Sequence, residues 1–77
     1  MTSRHDRYQA LARLLRSLRL KAGLTQIALA DALGKPQSFV SKYESAERRL
    51  DMVEVAEVCE ALRVSLIDFI KAFEENV

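Results

Sequence analysis

An all-α fold of five short helices is predicted by three features of this sequence. Apolar residues recur at spacings of three and four along most of the chain. No stretch alternates apolar and polar residues between turn signals, as a half-buried strand would. Glycine, proline and short hydroxyl or carboxylate side chains stand where such helices would start and stop. The 77 residues are expected to form a single domain, 1–77, near the lower limit at which a core without disulfide or metal folds alone, so self-association would ease its stability.

Helix one is expected to start at Ser3, with Ser3 and Asp6 as a capping box, and to bury Tyr8, Leu11, Leu15, Leu18 and Ala22 as one stripe, with Arg7, Arg13, Arg16 and Arg19 between them. Gly23 ends it, as glycine does where the backbone turns left-handed. Thr25 caps helix two, whose inner stripe is Leu29, Ala30 and Leu33, with Leu24 packing ahead of the cap; Gly34 stops it. Helix three starts around Pro36, whose missing N–H is no loss in a first turn. On a helical wheel Pro36, Val40, Tyr43 and Glu44 point one way and Ser38, Ser41, Lys42 and Ser45 the other, with Gln37 and Phe39 on the flanks. After the connection SAERRL (45–50), helix four runs from about Asp51 to Leu62. Its apolar set of Met52, Val53, Val55, Ala56, Val58, Cys59 and Leu62 is wider than one stripe and implies a second partner surface. Ser65 and Asp68 form a further capping box for helix five. That helix presents Leu66, Phe69, Ile70 and Phe73 to the core, leaves Ile67 off the stripe and frays over Glu74–Val77.

Composition excludes several classes. With 49% hydrophobic and 30% charged residues, two Gly and one Pro, the chain is neither disordered nor low-complexity. The single Cys59 falls in an apolar helical pattern, so it is expected in the core, with neither a disulfide framework nor a cysteine metal site available. No apolar run approaches a membrane span and the polar first seven residues lack a signal-peptide core, which points to the cytoplasm. His5 has no catalytic or metal partner at a meaningful spacing, and no phosphate loop, nucleophile elbow or metal-spaced cluster occurs, so neither an enzyme nor a cofactor is expected. The net charge of +1 conceals a division: residues 1–50 carry ten Lys or Arg against four Asp or Glu, and residues 51–77 carry two against seven. One part of the surface can therefore be drawn to phosphate while the other stays away from it.

Residues 25–45 hold the motif that gives these charges a purpose. Two short helices joined by a glycine-containing turn fit a helix-turn-helix, whose second helix enters the DNA major groove. The residues carry this further. Thr25 with Gln26, Leu29 with Ala30, Leu33 with Gly34, Val40, Tyr43 with Glu44, and Ala61 with Leu62 together resemble the phage-repressor and Cro-like (XRE-type) helix-turn-helix family over residues 11–70. The resemblance implies a compact five-helix lambda-repressor-like domain and double-stranded DNA as partner.

By that resemblance Gln37, Ser38 and Lys42 match the positions that read base edges. Chemistry agrees: Gln can bridge the acceptor and donor of adenine, and Lys can donate to the two acceptors of guanine. Ser41 stands beside them, within reach of a base or a phosphate. Gln26 matches a phosphate contact at the start of helix two, and Lys35, Arg48 and Arg49 are further candidates for the backbone. Arg19 and Glu44 match a structural pair that bridges helix one to the end of the recognition helix. The sequence departs from the family at Pro36, which stands where a Ser or Thr cap is common and puts the start of helix three, and Gln37 with it, in question by one residue. Phe39 replaces a small polar residue, to close over the core or to touch a thymine methyl, the core being favoured. Ile27 and Ala28 replace exposed charges and carry no assigned role.

The expected function is a transcriptional regulator, a repressor by preference, that binds a roughly palindromic operator as a homodimer. Val53, Val58 and Ile67 are the candidates for its dimer surface, with the segment before Leu11 as the alternative. Two other readings stay open: an antitoxin-like module that clasps a protein partner and binds DNA for autoregulation, or a restriction-modification controller using the same DNA chemistry.

Overall fold

From the start of α1 to the start of α5 each helix boundary is marked by a local device, and in two places the device is not one the sequence announces. In the computed structural model, described here for residues 3–75, five helices run in the order α1 (Arg4–Lys21), α2 (Gln26–Leu33), α3 (Gln37–Glu44), α4 (Met52–Leu62) and α5 (Leu66–Glu75). Ser3 caps α1 by accepting from the Asp6 amide at 3.1 Å, and Thr25 caps α2 by accepting from the Ala28 amide at 3.0 Å. The Ser65 hydroxyl accepts from the Asp68 amide at 3.4 Å. A complete capping box is formed at Asp51 and Glu54 instead of the expected Ser3–Asp6 and Ser65–Asp68 sites. The reason is reach, since the return bond to the cap amide suits Glu or Gln and aspartate is one methylene shorter. Pro36 is the N-cap of α3 and not part of its first turn: its ψ of 156° is extended, and it offers no side-chain bond. The tail is helical through Glu75, and Asn76 and Val77 lie outside the described residues.

Gly23 and Gly34 end α1 and α2 at φ of 75° and 68°, the left-handed region where a Cβ is costly. Ala46 and Arg63 adopt the same conformation, φ 64° and 59°, without being glycine. Ala46 closes α3 in a Schellman arrangement in which the Lys42 carbonyl accepts from the amides of Glu47 at 2.9 Å and Arg48 at 3.2 Å. The 45–50 connection is thereby folded back onto the end of α3.

Helix α2 packs on α3 and α4, α1 on α3 and α5, and α4 on α5. The Cα radius of gyration is 11.7 Å, against about 11.5 Å for a compact chain of this length. Leu15, Leu29, Val40, Val58 and Cys59 are the largest fully buried side chains at the centre, with Phe39, Tyr43, Val55, Leu62 and Phe69 around them. Burial pushes the Cys59 thiol up from its ordinary value, as a core position requires. Among the described residues no helix is long and apolar enough to cross a membrane, and no cluster of His, Cys, Asp or Glu could hold a metal ion.

One expectation about the surface is overturned. Val58 has no exposure and belongs to the core, so it is not available to a dimer interface. Val53 and Ile67, in contrast, are 68% and 67% exposed, and Met52 stands out beside Val53 at 59%. The wide apolar set of α4 thus divides into a buried face and a projecting edge near the helix start.

Candidate nucleic-acid interface

The outward face of α3 is built by what its inward face must do. Val40 and Tyr43 are drawn into the core, and Phe39 follows them, edge-on to Tyr43 with ring centroids 5.6 Å apart and planes at 79°. With those positions committed, helical geometry turns Gln37, Ser38 and Lys42 to solvent, and all three are exposed. Ser41 is half-buried, and its hydroxyl turns back to the Ser38 carbonyl at 3.4 Å.

A buried ion pair sets the orientation of α3 on the body. Arg19 donates from Nε to one Glu44 carboxylate oxygen at 2.7 Å and from Nη2 to the other at 3.0 Å, while its Nη1 donates to the Leu24 carbonyl at 2.8 Å. The two side chains are only 8% and 3% exposed. The bidentate geometry satisfies both charges where water cannot. Hydrogen bonding to Glu44 raises the Arg19 guanidinium above its already high ordinary value.

Gln26 extends this network to the surface. Its Nε2 donates to Glu44 at 3.1 Å, and its Oε1 meets the Gln37 amide at 3.5 Å, the outer limit of a hydrogen bond. The start of α2 and the start of α3, assigned to backbone and base contacts respectively, are therefore in direct contact.

The cations divide into tied and free. Arg48 is held by Glu54 through two parallel bonds of 3.1 and 2.8 Å, and its Nη1 also donates to the Arg49 carbonyl at 3.0 Å. Its hydrogen bond to Arg48 holds the Glu54 carboxyl below the usual range, and the same carboxylate completes the α4 capping box. The Arg48 guanidinium lies 4.7 Å from the Phe39 ring centroid and the Lys35 ammonium 5.6 Å. Phe39 is thus both core and platform, flanked by one cation from before α3 and one from after it. Pro36, Ser38, Phe39, Lys42 and Arg48 line a shallow concavity of about 200 Å³. Lys42 and Arg49 make no ion pair among the described residues, and the Arg49 guanidinium lies 4.5 Å over the Tyr8 ring. Sequence reasoning did not find the Glu54–Arg48 clasp or the Arg49–Tyr8 stack. The Asp51–x–x–Glu54 spacing was the one available signal, and it speaks of a cap and not of an arginine partner.

Two short helices meeting at a left-handed Gly34, the second docked by its apolar face and presenting polar side chains outward, define a helix-turn-helix DNA-binding unit. Residues 15–69 match the helix-turn-helix family model, and the chain belongs to that family in its XRE/Cro-C1 type, a family of DNA-binding transcription regulators. An XRE-family-like protein from Pseudomonas syringae pv. tomato str. DC3000 shares 46% identity, with 92% of this chain and 87% of that one covered at a TM-score of 0.85. The clp gene regulator ClgR from C. glutamicum shares 28% identity over 91% of this chain and 90% of its own, with a TM-score of 0.82. The same fold recurs in the restriction-modification controller protein C.Esp1396I, solved as a tetramer with its natural 35 base-pair operator, at 21% identity, 91% and 92% coverage and a TM-score of 0.83. Among curated proteins no sequence matches.

Proposed function

We propose that this regulator is a repressor acting as a homodimer on a roughly palindromic operator, with α3 of each subunit in successive major grooves. The observation that carries the reading is the division of α3 itself. Phe39, Val40 and Tyr43 lock one face into the core, while Gln37, Ser38 and Lys42, which has no ion pair among the described residues, project together from the other. Gln37 and Lys42 have the donor and acceptor patterns that distinguish adenine and guanine, and Ser38 adds a hydroxyl between them. Gln26 and Lys35 flank this face as backbone contacts, with Arg48 and Arg49 on the far side. Ser41, half-buried and with its hydroxyl bonded back along the helix to the Ser38 carbonyl, plays a lesser part.

Dimer formation follows from magnitude. One module of this kind covers only ~600–1,000 Å², too little for tight specific binding, and two modules ~34 Å apart on one DNA face multiply the contacts. Val53 and Ile67, with Met52, supply exposed apolar surface for the second copy on α4 and α5.

Selection from a random duplex pool, followed by titration of the selected site, tests the reading. A symmetric consensus with half-sites one helical turn apart is expected. Lys42→Ala is expected to reduce the preference for that site over random DNA by about 10-fold, the value of one good base contact of ~1–3 kcal/mol. Equal losses on both DNAs would remove base reading from Lys42, and failure of the pool to converge would remove sequence-specific binding.

A further inference from the structure

Outside the helix-turn-helix, Arg49 shares the Tyr8 ring with a second arginine, Arg4. The Arg49 guanidinium lies 4.5 Å from the Tyr8 ring centroid and that of Arg4 lies 5.8 Å from it. Both are exposed, and neither makes an ion pair with a carboxylate among the described residues. Like charges brought together without a counter-ion repel, and the arrangement becomes favourable when an anion joins them. The Tyr8 phenol feels the same field: hydrogen bonding to Arg4, then the charge of Arg49, lowers it from its ordinary value. The place is continuous with the DNA face. Arg49 follows Arg48, which shares a concavity with Ser38 and Lys42, and Tyr8 borders a small depression together with Arg48 and Arg49. Cationic side chains therefore run from Lys42 on α3 through Arg48, itself clasped by Glu54, and Arg49 in the 45–50 connection to Arg4 at the start of α1.

We propose that Arg4 and Arg49, gathered on the Tyr8 ring, form a phosphate-binding site that grips the operator backbone outside the half-site read by α3. The proposal rests on the DNA-binding reading above, in which Arg49 already faces the backbone, and adds to it Arg4 and the Tyr8 ring at the start of α1. The ring holds each of the two long side chains before DNA arrives, so less conformational entropy is lost on binding. A backbone phosphate fits because guanidinium groups bind its oxygens by paired donors and need no base identity.

The test measures the binding constant of the full chain for its selected operator against salt concentration. Arg4→Gln and Arg49→Gln are each expected to flatten the plot of log K against log salt by about 0.9 and to weaken binding about fivefold at 0.15 M salt. Discrimination between operator and random DNA should be unchanged. Neutral methylphosphonate linkages placed just outside the half-sites should weaken the parent chain and leave the double variant unaffected. Unchanged slopes in Arg4→Gln and in the double variant, with Lys42→Ala still losing specificity, would overturn this site while leaving the function intact. If the parent chain binds inorganic phosphate in the absence of DNA and the double variant does not, while the salt slopes for DNA are the same in both, the site takes a free anion and the backbone assignment is wrong. A parent chain that binds no DNA at all would remove both readings.

Discussion

Replacing Glu44 by Gln strands the charge of Arg19 while leaving the shape of the site almost unchanged. Glu44 accepts three hydrogen bonds, two from Arg19 and one from Gln26, and its side chain is 3% exposed. Arg19 is 8% exposed, so water cannot replace the lost carboxylate without the helices parting. Removing one partner of such a pair costs about 3–5 kcal/mol, and the amide oxygen of Gln keeps one hydrogen bond, which places the expected loss near the lower figure, about 3 kcal/mol. A chain of this size has about 4–12 kcal/mol in total at ~0.05–0.15 kcal/mol per residue. The midpoint of thermal unfolding should therefore fall by about 12–24 °C, at ~4–8 °C per kcal/mol. Urea unfolding should show the same loss with an unchanged slope, because the surface exposed on unfolding is the same. The double variant Arg19→Met with Glu44→Leu carries no stranded charge and should recover to within about 1 kcal/mol of the parent. A loss under about 1 kcal/mol in Glu44→Gln would mean that the pair behaves as an exposed one. A double variant as unstable as the single would mean that packing and not charge holds α3 on α1; either result refutes the reasoning.

Two further outcomes are expected. The Tyr43 hydroxyl is buried without a hydrogen-bond partner among the described residues, and burial pushes its phenol far above the ordinary value. Tyr43→Phe should thus be neutral or stabilising by up to about 1 kcal/mol in urea unfolding, and a clear loss would show that the hydroxyl is bonded. Ile67→Glu places a charge on an exposed apolar position and should give a monomer in light scattering at micromolar concentration. A dimer that persists would take Ile67 out of the interface.

Much of this fold was legible because its signals are local. Ser3, Thr25, Gly23 and Gly34 act on the backbone within a few residues of themselves, so each helix end they mark could be read without knowing what packs against it. The same holds for Leu66, Phe69 and Ile70, with Ile67 off their stripe, whereas Phe73 is half-buried under Arg7, and Ala22, expected in the stripe of helix one, is exposed. Where the device depends on something else, the reading failed. Ala46 and Arg63 turn the chain left-handed with no residue type to announce it, and aspartates at capping-box spacing proved too short for the return bond. Pro36 satisfies either a cap or a first turn by its φ of −70°, and its extended ψ of 156° makes it the cap.

The sequence by itself determined the helical periods, the charge division and the polar set on α3, because a helix places residues three and four apart on one face whatever surrounds it. Only the tertiary structure decided that Val58 is core while Val53 projects, since both lie on an apolar face too broad to be buried by one neighbour. It likewise decided which arginines are free. Arg48 and Arg49 are adjacent and alike in sequence, yet the fold delivers Glu54 to one and the Tyr8 ring to the other. The carboxylate comes from α4, the ring from α1 and the guanidinium groups from the connection between α3 and α4, so their meeting depends on how the helices and that connection pack.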